Sequence, residues 1–280
     1  MVVRRHGRVG AAILATVGLL VCGASLTGCS RGGAAVEDAR SGSGALETLR
    51  QAAATLVRAG SSRARTSMEM ATGGTRVTIR GEGVYDYRGR LGRLKVTLPQ
   101  DPAGDEEHRP ITELLASGAL FMKNRGAGVP ADKWVRVDTA TLTDGNLVTG
   151  GATDPYTAAE LLRGVREATY LGRTEVAGTP VRHYQGVADI ALAARDASAD
   201  NRAPLRAAAK GFATAEVPFD AYLDDQGRIR KVRHRFSFVN GGQKAVVAVA
   251  STTLLYDFGA PVDVRLPAAG DIYAGKIAAQ

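Results

Sequence analysis

The sequence predicts an α+β fold, a large curved antiparallel sheet with helices packed on its inner face. Three observations carry this. Helical periodicity near residues 45–59, 155–165 and 200–212 separates long stretches that alternate with a period of two. The alternating stretches are joined by short glycine-containing turns, as antiparallel neighbours require. After Gly60 no linker-like segment interrupts the chain except around 139–153, so residues 45–280 are expected to form one domain.

At the N-terminus, Arg4, Arg5 and Arg8 precede an uncharged apolar run from Val9 to Val21, which ends near Leu26-Thr27-Gly28-Cys29. A basic segment, a short apolar segment and small residues before a cut describe a secretory signal over residues 1–28. The run is shorter than the roughly 20 residues that span a bilayer core. The tetrapeptide resembles a bacterial lipobox. That resemblance implies cleavage before Cys29, a diacylglycerol on its sulfur, palmitate among the acyl groups, and anchoring on the extracytoplasmic face of the cell membrane. Two acyl chains suit a permanent anchor, because one holds only marginally. Ser30–Gly44 is small, polar and glycine-rich, and with Cys29 it reads as a flexible tether over 29–44.

In Ala45–Ala59, Leu46, Leu49, Ala53 and Leu56 recur at helical spacing, and Gly60 follows as a stop. From Ser67 the period is two. Arg76–Arg80 alternates, Gly81 and Gly83 suggest bulges, Arg88-Gly89-Arg90 is a turn, and Leu94, Val96 and Leu98 share a face. Pro99–Pro110 is a polar loop, Ile111–Ser117 a short helical or irregular piece, and 119–123 and 133–137 are strands. Thr139–Thr153 carries no assignable period. Asp154-Pro155 opens a helix running to about Val165, with Thr153 or Asp154 as its cap. Strands follow at 168–177 and 181–190, and a helix at 200–212. The strongest hairpin joins Val217–Leu223 to Ile229–Val239 through Asp224-Asp225-Gln226-Gly227. On its return strand Val232, His234, Phe236 and Phe238 face one way, and Lys231, Arg233, Arg235 and Ser237 the other. Lys244–Phe258 is the last and longest strand.

The formal charge is +8; without the signal's arginines, 33 basic and 28 acidic residues leave +5. Such an excess favours an anionic membrane surface or cell-wall polymer. An exported chain with no aromatic-basic motif is not a nucleic-acid binder. Of the two cysteines, Cys22 leaves with the signal and Cys29 is the lipidation site, so no disulfide is expected.

Catalytic templates fail. The mature chain has no Gly-x-Ser-x-Gly and no free thiol, and His108, His183 and His234 are scattered without metal-ligand spacing. Gly270–Lys276 imitates a phosphate loop but has Ile277 where Ser or Thr belongs. Asp224-Asp225 reads as a solvated hairpin tip, and His183-Tyr184 as alternating strand residues. No enzyme activity, cofactor or metal is expected.

Four stretches in order, with the lipobox, carry a family resemblance: Leu120–Lys123 with Lys133–Val137, Tyr170–Tyr184, Tyr222–Ile229 and Tyr256–Pro267. Together they resemble actinobacterial lipid-binding lipoproteins of the LprG/LppX type, whose fold is similar to the lipoprotein carrier LolA. The resemblance implies a half-barrel wrapped around helices and enclosing an apolar cavity for acylated lipids or other amphiphiles. It carries no catalytic residue and leaves a membrane-protein partner open. Alternation places Val77, Ile79, Leu94, Val96, Leu98, Val232, Phe236 and Phe238 on the concave side. Plain core packing without a ligand explains the same pattern, as does an interaction lipoprotein of this fold that binds a protein or cell-wall polymer.

Overall fold

The computed structural model describes residues 31–99, 109–240 and 245–275. The signal, Cys29 and most of the Pro99–Pro110 loop lie outside the described residues.

Helix α1 spans Arg31–Ala59. Residues 31–44, expected as an irregular tether, are therefore helical in backbone. Ala34, Ala35, Glu37, Ala39 and Arg40 are good helix formers, and lengthening an existing helix needs no new nucleus. The helix stops where expected: Gly60 takes φ 87°, and its N–H donates to the carbonyls of Leu56 and Val57.

The strands are β1 (Ser61–Thr72), β2 (Thr75–Asp86), β3 (Leu91–Thr97), β4 (Ile111–Ala116), β5 (Ala119–Lys123) and β6 (Trp134–Asp138) in the first half. The second half supplies β7 (Val165–Val176), β8 (Thr179–Asp189), β9 (Glu216–Leu223), β10 (Ile229–Asn240) and β11 (Ala245–Tyr256). All eleven join one open antiparallel sheet in the order β6-β5-β4-β3-β2-β1-β11-β10-β9-β8-β7. Each half is a meander, and β1 pairs with β11 at the centre, from Arg63 opposite Tyr256 to Ala71 opposite Ala248. The edge strand β6 is covered by the C-terminal segment, where Tyr273 N–H donates to the Trp134 carbonyl at 2.8 Å.

Three expectations change. Ile111–Ser117 is not helical or irregular but the strand β4. Ile111 and Leu115 point to the main core, while Leu114 joins a second apolar cluster with Ala119 and Phe121, so both faces are buried and the alternation is masked. Gly81 and Gly83 mark no bulge, because the β1–β2 register runs through them without a shift. Gly83 is required by close approach instead: a Cβ there would overlap the Arg93 carbonyl oxygen. An additional helix α3 (Ile190–Asp196) starts directly from β8, capped by the Asp189 carboxylate, which accepts from Leu192 N–H at 2.9 Å.

The remaining helices are α2 (Pro155–Leu161), extended by a 3-10 turn at Leu162–Gly164, and α4 (Ala199–Gly211). Asp154 caps α2, accepting from Tyr156 and Thr157 N–H at 2.7 and 3.1 Å. Every residue of α2 is buried. It packs between α1 and the inner face of the sheet, with α3 and the 3-10 turn beside it.

Candidate functional site

The inner face is built by alternation. Ala64 and Met68 of β1, Ile79 and Tyr85 of β2, Leu94 and Val96 of β3, Val232 and Phe236 of β10, and Val249 and Leu255 of β11 are buried there. Arg63, Arg65, Arg80, Glu82, Arg93 and Lys95 alternate with them on the outer face. Of the eight residues expected on the concave side, Ile79, Leu94, Val96, Val232 and Phe236 are buried in the main core. Val77, Leu98 and Phe238 are half-buried against that same core. All eight pack in or against the main core. Phe236 stacks on Phe212 from the end of α4, with ring centroids 5.0 Å apart.

Residues Leu142–Thr153 cross this face with α2. The Asp144 carboxylate organises them, accepting from the N–H groups of Asn146, Val148 and Thr149. Thr153 donates to the Leu147 carbonyl at 2.9 Å and meets the Ser251 hydroxyl at 2.5 Å, tying the segment to β11. Gly151, at φ 85°, lies against Ile79 and Val96. At one end of α2, Tyr85, Tyr87 and Tyr156 cluster, and the Arg90 guanidinium lies 3.7 Å from the Tyr156 ring centre. Burial pushes Asp154 up to about 6 despite its two backbone N–H donors.

Two ionisable groups on the inner face went unrecognised or unweighted in the sequence. His234 is fully buried with no partner for Nε2 among the described residues, and burial pushes it down to about 3, so it is neutral. Glu113 of β4 is fully buried, and burial pushes it up to about 8 against the opposing charge of Arg125. Its signal was present: in Ile111-Thr112-Glu113-Leu114-Leu115 an acid occupies an inward position between two inward aliphatics.

The outer face carries a pocket of about 710 Å³. Its walls include Arg65, Arg80, Lys95, Glu82 and Leu254. Arg65 pairs with Glu82 at 3.4 Å. Further along the outer face Asp220 meets His183 Nε2 at 3.1 Å and Arg235 at 2.7 Å; burial works against its charge, but these two partners hold it below the usual carboxylate range. Among the described residues no group of three or more His, Cys, Asp or Glu is placed to hold a metal. None of the described helices is long and apolar enough to cross a membrane.

Fold and inner face thus describe an open half-barrel closed over by its own helices. No family model matches the chain, and no curated protein does. Among solved structures it is similar to LprF from Mycobacterium bovis, with 14% identity over 81% of this chain and 98% of that one, TM-score 0.40. It is also similar to the lipoprotein LppX of Mycobacterium tuberculosis, with 10% identity over 80% and 99%, TM-score 0.45. A LolA-superfamily protein from Nitrosomonas europaea follows, with 10% identity over 76% and 94%, TM-score 0.32. LppX is one of the lipoproteins in the resemblance drawn from sequence.

Proposed function

We propose that this chain is an extracytoplasmic lipoprotein, anchored through acylated Cys29, whose half-barrel binds and carries an acylated lipid or another amphiphile without a catalytic step. The observation that carries the reading is the inner face itself. An apolar surface built by strands from both halves of the sheet is covered, among the described residues, by α1, three short helices and the irregular segment Leu142–Thr153. A segment without regular structure, held by side-chain bonds at Asp144 and Thr153, is the part of the cover most readily shifted to admit a ligand beneath it. Ligand pockets span roughly 300–1,000 Å³; on the packed inner face that volume opens as the segment shifts.

The test is uptake of a fluorescent fatty acid by lipid-stripped protein. Saturable binding at micromolar concentration is expected, weakened by Val232→Trp or Phe236→Trp. No uptake by folded wild type ends the reading.

A second reading, an interaction lipoprotein that binds a protein or cell-wall polymer, is favoured by the outer-face pocket with Arg65, Arg80 and Lys95 on its rim. It gains if acyl probes do not bind while an anionic polymer does, and Arg80→Glu with Lys95→Glu abolishes that binding.

A further inference from the structure

Most polar groups buried on the inner side are well bonded. Glu160, although fully buried, accepts from Tyr156 OH, from Arg163 and from the N–H and hydroxyl of Ser198. Asp144 accepts three backbone N–H groups. Glu113 breaks this rule. It is completely buried, and neither Oε1 nor Oε2 has a hydrogen-bond partner among the described residues. Asn146 Oδ1, in a residue only 4% exposed, has none either.

These oxygens converge on one point. A Cβ added to Gly150 would stand 3.0 Å from Asn146 Oδ1 and 3.2 and 3.3 Å from Glu113 Oε1 and Oε2. Three oxygens without a partner among the described residues thus crowd one point above Gly150, too tightly for a methyl to fit there without pushing one of them aside. Thr66 Oγ1, beneath Ala152 further along the same segment, is unpartnered too. The segment covers this strip of the sheet without satisfying it.

Leaving a buried polar group unbonded costs about 1–3 kcal/mol, and more for a charged one. Glu113 has Leu94 and Met122 opposite it on the flanking strands and Ile111 and Leu115 on its own strand face, so an aliphatic side chain would avoid that cost. Arg125, the charge that acts on Glu113, also lines a pocket of about 290 Å³ with Leu98 and Val129.

Resting on the amphiphile-binding reading above, we propose that Glu113 and Asn146 are its polar recognition point, and that they take the hydroxyl-bearing head group of a neutral amphiphile. A hydroxyl donates one hydrogen bond and accepts others. It therefore suits a buried carboxyl group that is itself neutral, and either orientation of the Asn146 amide offers it a partner. A phosphate or carboxylate head would instead bring a second acid to the same spot.

The experiment uses lipid-stripped full chain and two competitors of equal chain length against a fluorescent fatty acid. Monopalmitoylglycerol has two hydroxyls, and methyl palmitate has no donor. Wild type is expected to prefer the glyceride at least tenfold. That ratio should fall to about one in Glu113→Leu, and also in Gly150→Ala, which places a methyl between the oxygens and stands in if the leucine variant does not melt cooperatively. Equal binding of both competitors by wild type, or a tenfold preference retained in a folded variant, overturns the assignment. If neither competitor nor the fatty acid binds wild type, the amphiphile reading fails and this assignment with it.

Discussion

Replacing Glu113 by Gln changes one charge-bearing atom group in the middle of β4, and its effect on stability has a defined pH window. Burial raises the folded-state pKa from the ordinary 4.5 to about 8. A raised carboxyl favours the folded state fully below pH 4.5, and that advantage is lost as pH rises towards 8. Between pH 6.5 and 8 the unfolded chain is already ionised at this position while the folded chain still holds its proton. At 1.36 kcal/mol per unit of pKa difference, wild type should lose about 1.5–2 kcal/mol across that interval. His234 acts in the opposite sense and mostly at lower pH. Its folded pKa is depressed to about 3, so its contribution is present above pH 6.5 and declines as pH falls towards 3. Subtracting the variant from wild type removes His234 and every other shared group. The assay is urea unfolding at pH 6.5, 7.25 and 8. The difference in unfolding free energy should grow in favour of Glu113→Gln by about 1.5–2 kcal/mol over the series. Parallel declines in the two proteins would mean that Glu113 is not the buried, unbonded acid described above.

Two further outcomes test other levels of the argument. Cys29→Ser should abolish fatty-acid labelling and release the chain from the membrane fraction or leave the uncleaved precursor; labelled, membrane-bound protein of mature mass would overturn the lipobox reading. Gly83→Ala forces a methyl into the Arg93 carbonyl oxygen, so overpacking of roughly 3 kcal/mol should lower Tm by about 6–12 °C in a domain of this size; an unchanged melt would show that β2 and β3 are not so close.

What the sequence discloses follows the strength of its periodicity. The β10 face of Val232, His234 and Phe236 was legible because Arg233 and Arg235 alternate with it and only one side of the strand is buried. The β9–β10 hairpin was legible because Gly227 sits at φ 75°, where its turn needs glycine. Strand β4 was hidden by burial on both faces, and α3 by Ala191, Ala193 and Ala194, whose small side chains mark no stripe. Helix α1 was legible over Leu49–Leu56, whose apolar face packs in the core, and not over 31–44, where glycine and serine argue against a helix. Alternation pointed to eight residues that pack in or against the main core. What lies above them was not legible, since the cover is Leu142–Thr153, a segment defined by Asp144 and Thr153 bonds to partners remote from any periodic signal.

On the proposed carrier reading, a packed inner face is what the protein needs between ligands. An apolar sheet surface of this extent cannot stand open to water, because large exposed apolar patches drive association. A chain of about sixteen carbons has roughly fourteen methylenes, whose burial is worth on the order of 11 kcal/mol gross at about 0.8 each. A bilayer offers nearly the same, so transfer between the two costs little net free energy. The protein, however, must also displace whatever fills the site, and a well-packed helix would oppose entry with most of that energy. Leu142–Thr153 presents glycines at 145, 150 and 151, and its own Asn146 Oδ1 and the Glu113 and Thr66 oxygens beneath it have no partner among the described residues. Its own closure is therefore weakened at the places where a hydroxylated ligand would add hydrogen bonds. On the same reading cover and ligand are brought closer in free energy, and the unsatisfied oxygens would decide which ligands compete.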